Sequence, residues 1–152
     1  MATPDFDVVE AHKHFSVNCF NLTWDFIDQP SRTLEENEQM ILTSMASVWH
    51  WTQRPDCEPK NLSIGYWQLS RVFALAGQAE QARKYGEISL RHGKNEAPFY
   101  IGYAYEALAR AEAVGGNKAK MNEYLTKARE YLAKVTDADG RKVLQADLET
   151  IQ

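Results

Sequence analysis

Between Asn61 and Leu132 the chain writes one helical hairpin twice, and this repeat restricts the fold more than any other feature. A shift of 39 residues lays Gly77 over Gly116. The same shift aligns Tyr66 with Tyr105, Leu69 with Leu108, Ser70 with Ala109, Arg71 with Arg110, Ala82 with Met121 and Ser89 with Ala128. In the first copy Tyr66, Leu69, Ser70 and Phe73 share one helix face, and Gly77 suits the left-handed residue that ends it. A second helix is predicted from Ala79 to about Arg91, closed by His92-Gly93. In the second copy Pro98 opens a helix, where its missing amide proton is not needed. That helix runs to Gly115-Gly116, and its partner covers Lys118 to Ala133. The small residues Ser70, Ala109 and Ala82 fall where the two helices of a hairpin approach closely.

The order Tyr66-Leu69-Ser70-Phe73-Gly77-Ala82-Ser89 resembles the tetratricopeptide repeat, and Tyr105-Leu108-Ala109-Gly116-Met121-Ala128 follows it more loosely. Glu112 stands where that family prefers an aromatic residue, and Gly86 and Leu125 occupy another aromatic position. The closing proline is missing, and the 39-residue spacing exceeds the usual ~34. Trp49-His50-Trp51, followed by Tyr66-Trp67-Gln68-Leu69-Ser70-Arg71-Val72, is similar to uncharacterised bacterial proteins of this type. The resemblance implies an all-α fold: about seven helices as antiparallel hairpins in a short right-handed superhelix. It also implies a concave surface built from the first helix of each repeat.

Outside the repeats, residues 5–28 read as one long helix with apolar residues on more than one face. Such a helix is either buried by its neighbours or meets a second copy of the chain. Thr33-Leu34-Glu35-Glu36 fits a capping box for a second helix reaching about Arg54, and residues 55–59 read as a loop. Thr136 to Gly140 is a turn. Val143, Leu144, Leu148 and Ile151 then mark a last amphipathic helix, of the kind that covers the end of a repeat stack. The whole of 1–152 is expected to form one domain: a hairpin over 5–54, repeats over 61–93 and 97–133, and a capping helix over 137–151.

Composition narrows the function classes. A net charge of −4 argues against a general phosphate-backbone binder. No apolar run reaches the ~18 residues a membrane span needs. Met1 to Asp5 has neither the basic start nor the apolar stretch of a secretory signal. Cys19 and Cys57 are too few for a disulfide framework, which fits reduced thiols in the cytoplasm.

No H-E-x-x-H, G-x-S-x-G, phosphate loop or paired C-x-x-C occurs. The chain therefore reads as a non-enzymatic scaffold that binds a protein or peptide, without cofactor or metal. The tetratricopeptide resemblance implies that Trp67, Arg71, Tyr103, Glu106 and Arg110 face the groove. Arg71 and Arg110, one repeat apart, would either grip a carboxylate or extended peptide, or be neutralised internally by Glu106 and Glu112.

His12 and His14 project about 200° apart on a helix and cannot hold one ion together, so a metal site would need His50 or carboxylates brought in by the fold. His50 and Trp51, with Trp67, make the secondary candidate for a small-molecule or metal site. As a simpler reading, His50 near a helix C-terminus bonds the last carbonyls. A homodimer through the aromatic first helix is the third reading.

Overall fold

The computed structural model describes residues 5–152, so the expectation for Met1 to Pro4 lies outside the described residues. The described chain is all-α, with seven helices: α1 (Val8–Ile27), α2 (Leu34–Thr52), α3 (Pro59–Leu75), α4 (Ala79–Gly93), α5 (Pro98–Val114), α6 (Lys118–Leu132) and α7 (Ala138–Glu149). They pack as sequential antiparallel pairs, α1 with α2, α3 with α4 and α5 with α6, while α7 lies against α5 and α6. No helix among the described residues is long and apolar enough to cross a membrane.

Local chemistry sets the boundaries. Asp7 caps α1 by accepting from the amides of Val9 and Glu10, so the helix starts later than the expected Asp5. Thr33 and Glu36 form the expected capping box on α2: Thr33 Oγ1 accepts from Glu36 N–H, and Glu36 Oε2 accepts from Thr33 N–H. Pro59, assigned to a loop by the sequence reading, instead opens α3 as Pro98 opens α5. Asn61 Oδ1 accepts from the Glu58 amide and holds that start.

The turns after α3 and α5 are the same motif. Gly77 and Gly116 both have φ of 75°. In the first turn Gln78 N–H reaches Phe73 O and Gly77 N–H reaches Ala74 O; in the second, Asn117 N–H reaches Glu112 O and Gly116 N–H reaches Ala113 O. These crossed bonds satisfy carbonyls that a helix end leaves open. Sequence register and backbone geometry therefore agree at 39 residues.

Two apolar clusters carry the packing. Met40, Leu69, Val72, Phe73, Ala82 and Ala111 join α2, α3 and α4 with α5. Met121, Leu125, Ala128, Leu144, Leu148 and Ile151 join α6 and α7 to α5 through Ala109. Each large side chain so buried contributes roughly 1.5–3 kcal/mol. Gly102 permits the approach of α7, since a Cβ there would lie 2.7 Å from Leu144 Cδ2.

The seam between α1 and α2 is different in kind. The fully buried residues of α1 are Ser16 and Thr23, and none of its large apolar ones is among them. Ser47 Oγ donates to Ser16 O at 2.7 Å, and Thr23 Oγ1 donates to Thr43 Oγ1 at 2.9 Å. Small hydroxyl side chains let the helices come close, and their polar atoms find partners across the seam. Phe15, Val17 and Leu22 consequently stay exposed.

Replacing Gly77 or Gly116 by alanine should each lower stability by about 1–2 kcal/mol. A Cβ meets nothing within 4 Å at either position, so the cost is backbone strain alone. Urea unfolding of the two variants is expected to give equal losses. A clear inequality would show that the two turns are not equivalent.

Candidate functional site

On α3, Trp67 and Arg71 are four residues apart. On α5, Tyr103, Glu106 and Arg110 follow one face, so both sets project into the space between the helices. The structure brings all five together around Glu106, whose side chain is fully buried. Its carboxylate accepts from Trp67 Nε1 at 2.7 Å, from Arg71 Nη1 at 3.3 Å and from Arg110 Nε at 2.8 Å. Trp67 and Glu106 are themselves 39 residues apart, so this bond joins positions related by the same shift as Gly77 and Gly116.

A sixth residue, Asp147 of α7, completes the network. It accepts from Tyr103 Oη at 2.9 Å and from Arg71 Nη2 at 3.3 Å, while its main-chain carbonyl accepts from Arg110 Nη2 at 3.1 Å. Arg110 Nη2 also reaches Thr150 Oγ1 at 2.8 Å. Two guanidinium groups thus face two carboxylates, and only Arg71 Nε is buried without a partner among the described residues. Burial, and then the charge of Asp147, push the Tyr103 hydroxyl well above the usual tyrosine range, so it remains a donor. Glu112 takes no part: it pairs with Arg83 Nε at 2.6 Å. The arginines are therefore neutralised within the chain, by Glu106 and Asp147. The sequence held a usable sign of Asp147, an acid set within the apolar pattern of Leu144 and Leu148.

Beside this network lies a cavity of about 180 Å³, lined by Ser63, Ile64, Trp67, Phe99, Tyr100 and Tyr103. The Tyr103 ring stands edge-on to both Trp67 and Phe99, with centroids 5.0 Å apart in each case. Three of its four hydrogen-bonding side chains already have internal partners: Ser63 donates to Ser89 O, Trp67 to Glu106 and Tyr103 to Asp147. A second cavity of about 180 Å³ is lined by Val17, Phe20, Trp51, Asn61, Ile64 and Gly65. Ile64 lines both, so the two apolar cavities lie side by side, and together they are termed the trough.

The secondary candidates separate. Trp51 faces the trough, with the Arg54 guanidinium carbon 3.7 Å from its ring centroid. His50 lines neither cavity and turns to α1, where its Nδ1 lies 2.8 Å from Nδ1 of His12, one ring donating and the other accepting. The simple reading of His50 as a cap for the last carbonyls is replaced by this pair. The fold thus supplies the histidine that His12 lacked, while His14 stays exposed. No group of three or more His, Cys, Asp or Glu side chains is placed to hold a metal ion among the described residues. Cys19 and Cys57 are free thiols, half-buried and pushed upward in pKa by burial.

Comparison with family models, with curated proteins and with solved structures finds no match to this chain.

Two outcomes follow from this geometry. Glu106→Ala leaves two buried guanidinium groups and the Trp67 N–H short of a partner, and should cost about 3–5 kcal/mol in chemical unfolding. A loss below ~1 kcal/mol would remove Glu106 from its central place.

For His50, burial and then the nearby His12 hold its pKa below the ordinary 6.5. The unfolded chain therefore takes up the proton first. Stability is full above 6.5 and is lost as pH falls through that value toward the lower folded one. The melting temperature should fall between about pH 7 and about pH 5, and His50→Asn should flatten that fall. An unchanged slope in the variant would count against the pair.

Proposed function

We propose that the chain is a short tetratricopeptide-like superhelix, capped by α7, that serves in the cytoplasm as a non-enzymatic protein- or peptide-binding scaffold. The two identical glycine turns and the Trp67–Glu106 bond between equivalent positions support the repeat architecture. The observation that carries the binding function is the apolar trough on either side of Ile64.

Size and polarity both favour this reading. Pockets for cofactors and drug-sized ligands measure roughly 300–1,000 Å³, whereas each half of the trough holds about 180 Å³. That volume suits single side chains of a partner. Most of the polar groups in the first half bond inward, so the walls present aromatic rings and hydrocarbon to an incoming group. Buried aromatic anchors in such pockets carry much of the energy in protein interfaces. Trp67 and Tyr103 belong to the contact surface on this reading. Arg71, Glu106 and Arg110 hold the two walls in place from behind.

The test is direct. Wild type, Tyr100→Ala and Ile64→Asp, each shown by circular dichroism to keep its helicity, are used to capture partners from native cytosol. A captured partner is then purified and titrated. Both variants should weaken its binding at least ~10-fold, as loss of a hot-spot contact does. Equal affinity for all three proteins would show that the trough is not the binding surface.

A further inference from the structure

The outer side of the α1–α2 hairpin carries a second apolar surface, separate from the trough. On α1, Val8, Phe15 and Leu22 recur every seven residues and fall in one stripe, exposed by 42%, 44% and 43%. On α2, Leu42 and Trp49 are also seven apart, exposed by 50% and 55%. The Thr23–Thr43 bond and the His12–His50 pair fix the register that sets these stripes side by side. At one end the Phe15 ring lies 5.4 Å from His50, and Trp49 lies 5.4 Å from His12. Helix α3 packs on the other side of the hairpin: Gln68 bonds Ser44 and Phe20 O, and Trp67 meets Trp24. Between the stripes lie Cys19 and Ala46, half-buried, small and uncharged, and at the Phe15–Trp49 end the half-buried His12–His50 pair.

We propose that this face is a twofold interface between two copies of the chain, which joins two α1–α2 hairpins into a four-helix contact. Its extent is at the lower end of what a stable interface needs. Helices of 20 and 19 residues span about 30 Å, and two side by side are about 20 Å wide. The resulting ~600 Å² of projected area approaches the ~800 Å² per partner that a stable interface buries.

The face also suits itself. An isologous contact sets the same patch against itself, and a patch without Asp, Glu, Lys or Arg along its centre meets no repulsion between such groups there. Head-to-tail stacking is disfavoured, because the exposed side of α7 presents Arg141, Lys142, Gln145 and Glu149. Seating those groups on Phe15 and Trp49 would strip charges of water without partners. Pairing is therefore face to face and stops at two, and it leaves the trough at Ile64 open.

Sedimentation in reducing buffer, so that no disulfide through Cys19 contributes, tests the proposal from low to high micromolar concentration. Wild type should reach twice the 17.4 kDa monomer mass and stop there. The double variant Phe15→Glu/Trp49→Glu changes two exposed residues and should keep its helicity. Its dimer dissociation constant should rise by roughly a hundredfold or more, because the contact then faces four carboxylates. A wild-type monomer at the highest concentration would overturn the proposal. So would an unchanged dissociation constant in the variant, growth beyond a dimer, or a monomer that binds another protein through Phe15 and Trp49.

Discussion

A carboxylate with no access to water has to be surrounded by donors, and the centre of this protein is arranged around meeting that demand for Glu106. The donors come from α3 (Trp67 and Arg71) and from α5 itself (Arg110), so α3 and α5 are fixed relative to each other in distance and rotation. The same two arginines then recruit Asp147, which holds α7 against α5 at the point where Gly102 leaves room for Leu144. One buried anion thus couples three helices distant in sequence. In a low-dielectric interior an unpaired member would be expensive, and that cost makes the arrangement specific as well as stable.

The network also shapes the surface. Because the guanidinium groups bond inward, the space beside them is left to Ile64, Phe99, Tyr100 and the rings of Trp67 and Tyr103. A groove that would have been cationic had the arginines been free becomes an apolar trough with a neutral floor. On the proposed reading, that trough receives hydrophobic side chains and does not grip a terminal carboxylate.

At the N-terminal hairpin the usual distribution of polarity is reversed. Ser16, Thr23, Ser44 and Ser47 are fully buried, while Phe15, Leu22, Leu42 and Trp49 stand in solvent. Hydroxyl groups serve inside because each finds an acceptor, Ser16, Thr23 and Ser47 across the seam or along their own helix and Ser44 at Gln68 of α3, and their small size brings α1 and α2 close. The large apolar side chains cannot enter so narrow a seam, and so they collect on the outside. The trough and this outer face lie on different flanks of α1, so the two proposed contacts do not compete for one side of the helix.

The sequence alone determined the elements and their periodicity. Gly77 and Gly116, the proline at position 98, Thr33 with Glu36 and the apolar spacing of α3 to α7 act within a few residues of themselves. Their physical signals are local and legible without a fold. The pairing of Arg71 and Arg110 through Glu106 was readable as one of two alternatives, since helical spacing puts them on neighbouring faces but does not say which way they bond. Tertiary structure decided that choice, because it required α7 to deliver Asp147 from 76 residues beyond Arg71. It likewise decided that His50 meets His12, and that α1 buries its hydroxyls and shows its aromatics. Each of these depends on how closely two helices approach, a distance set by the side chains of both partners and written in neither one.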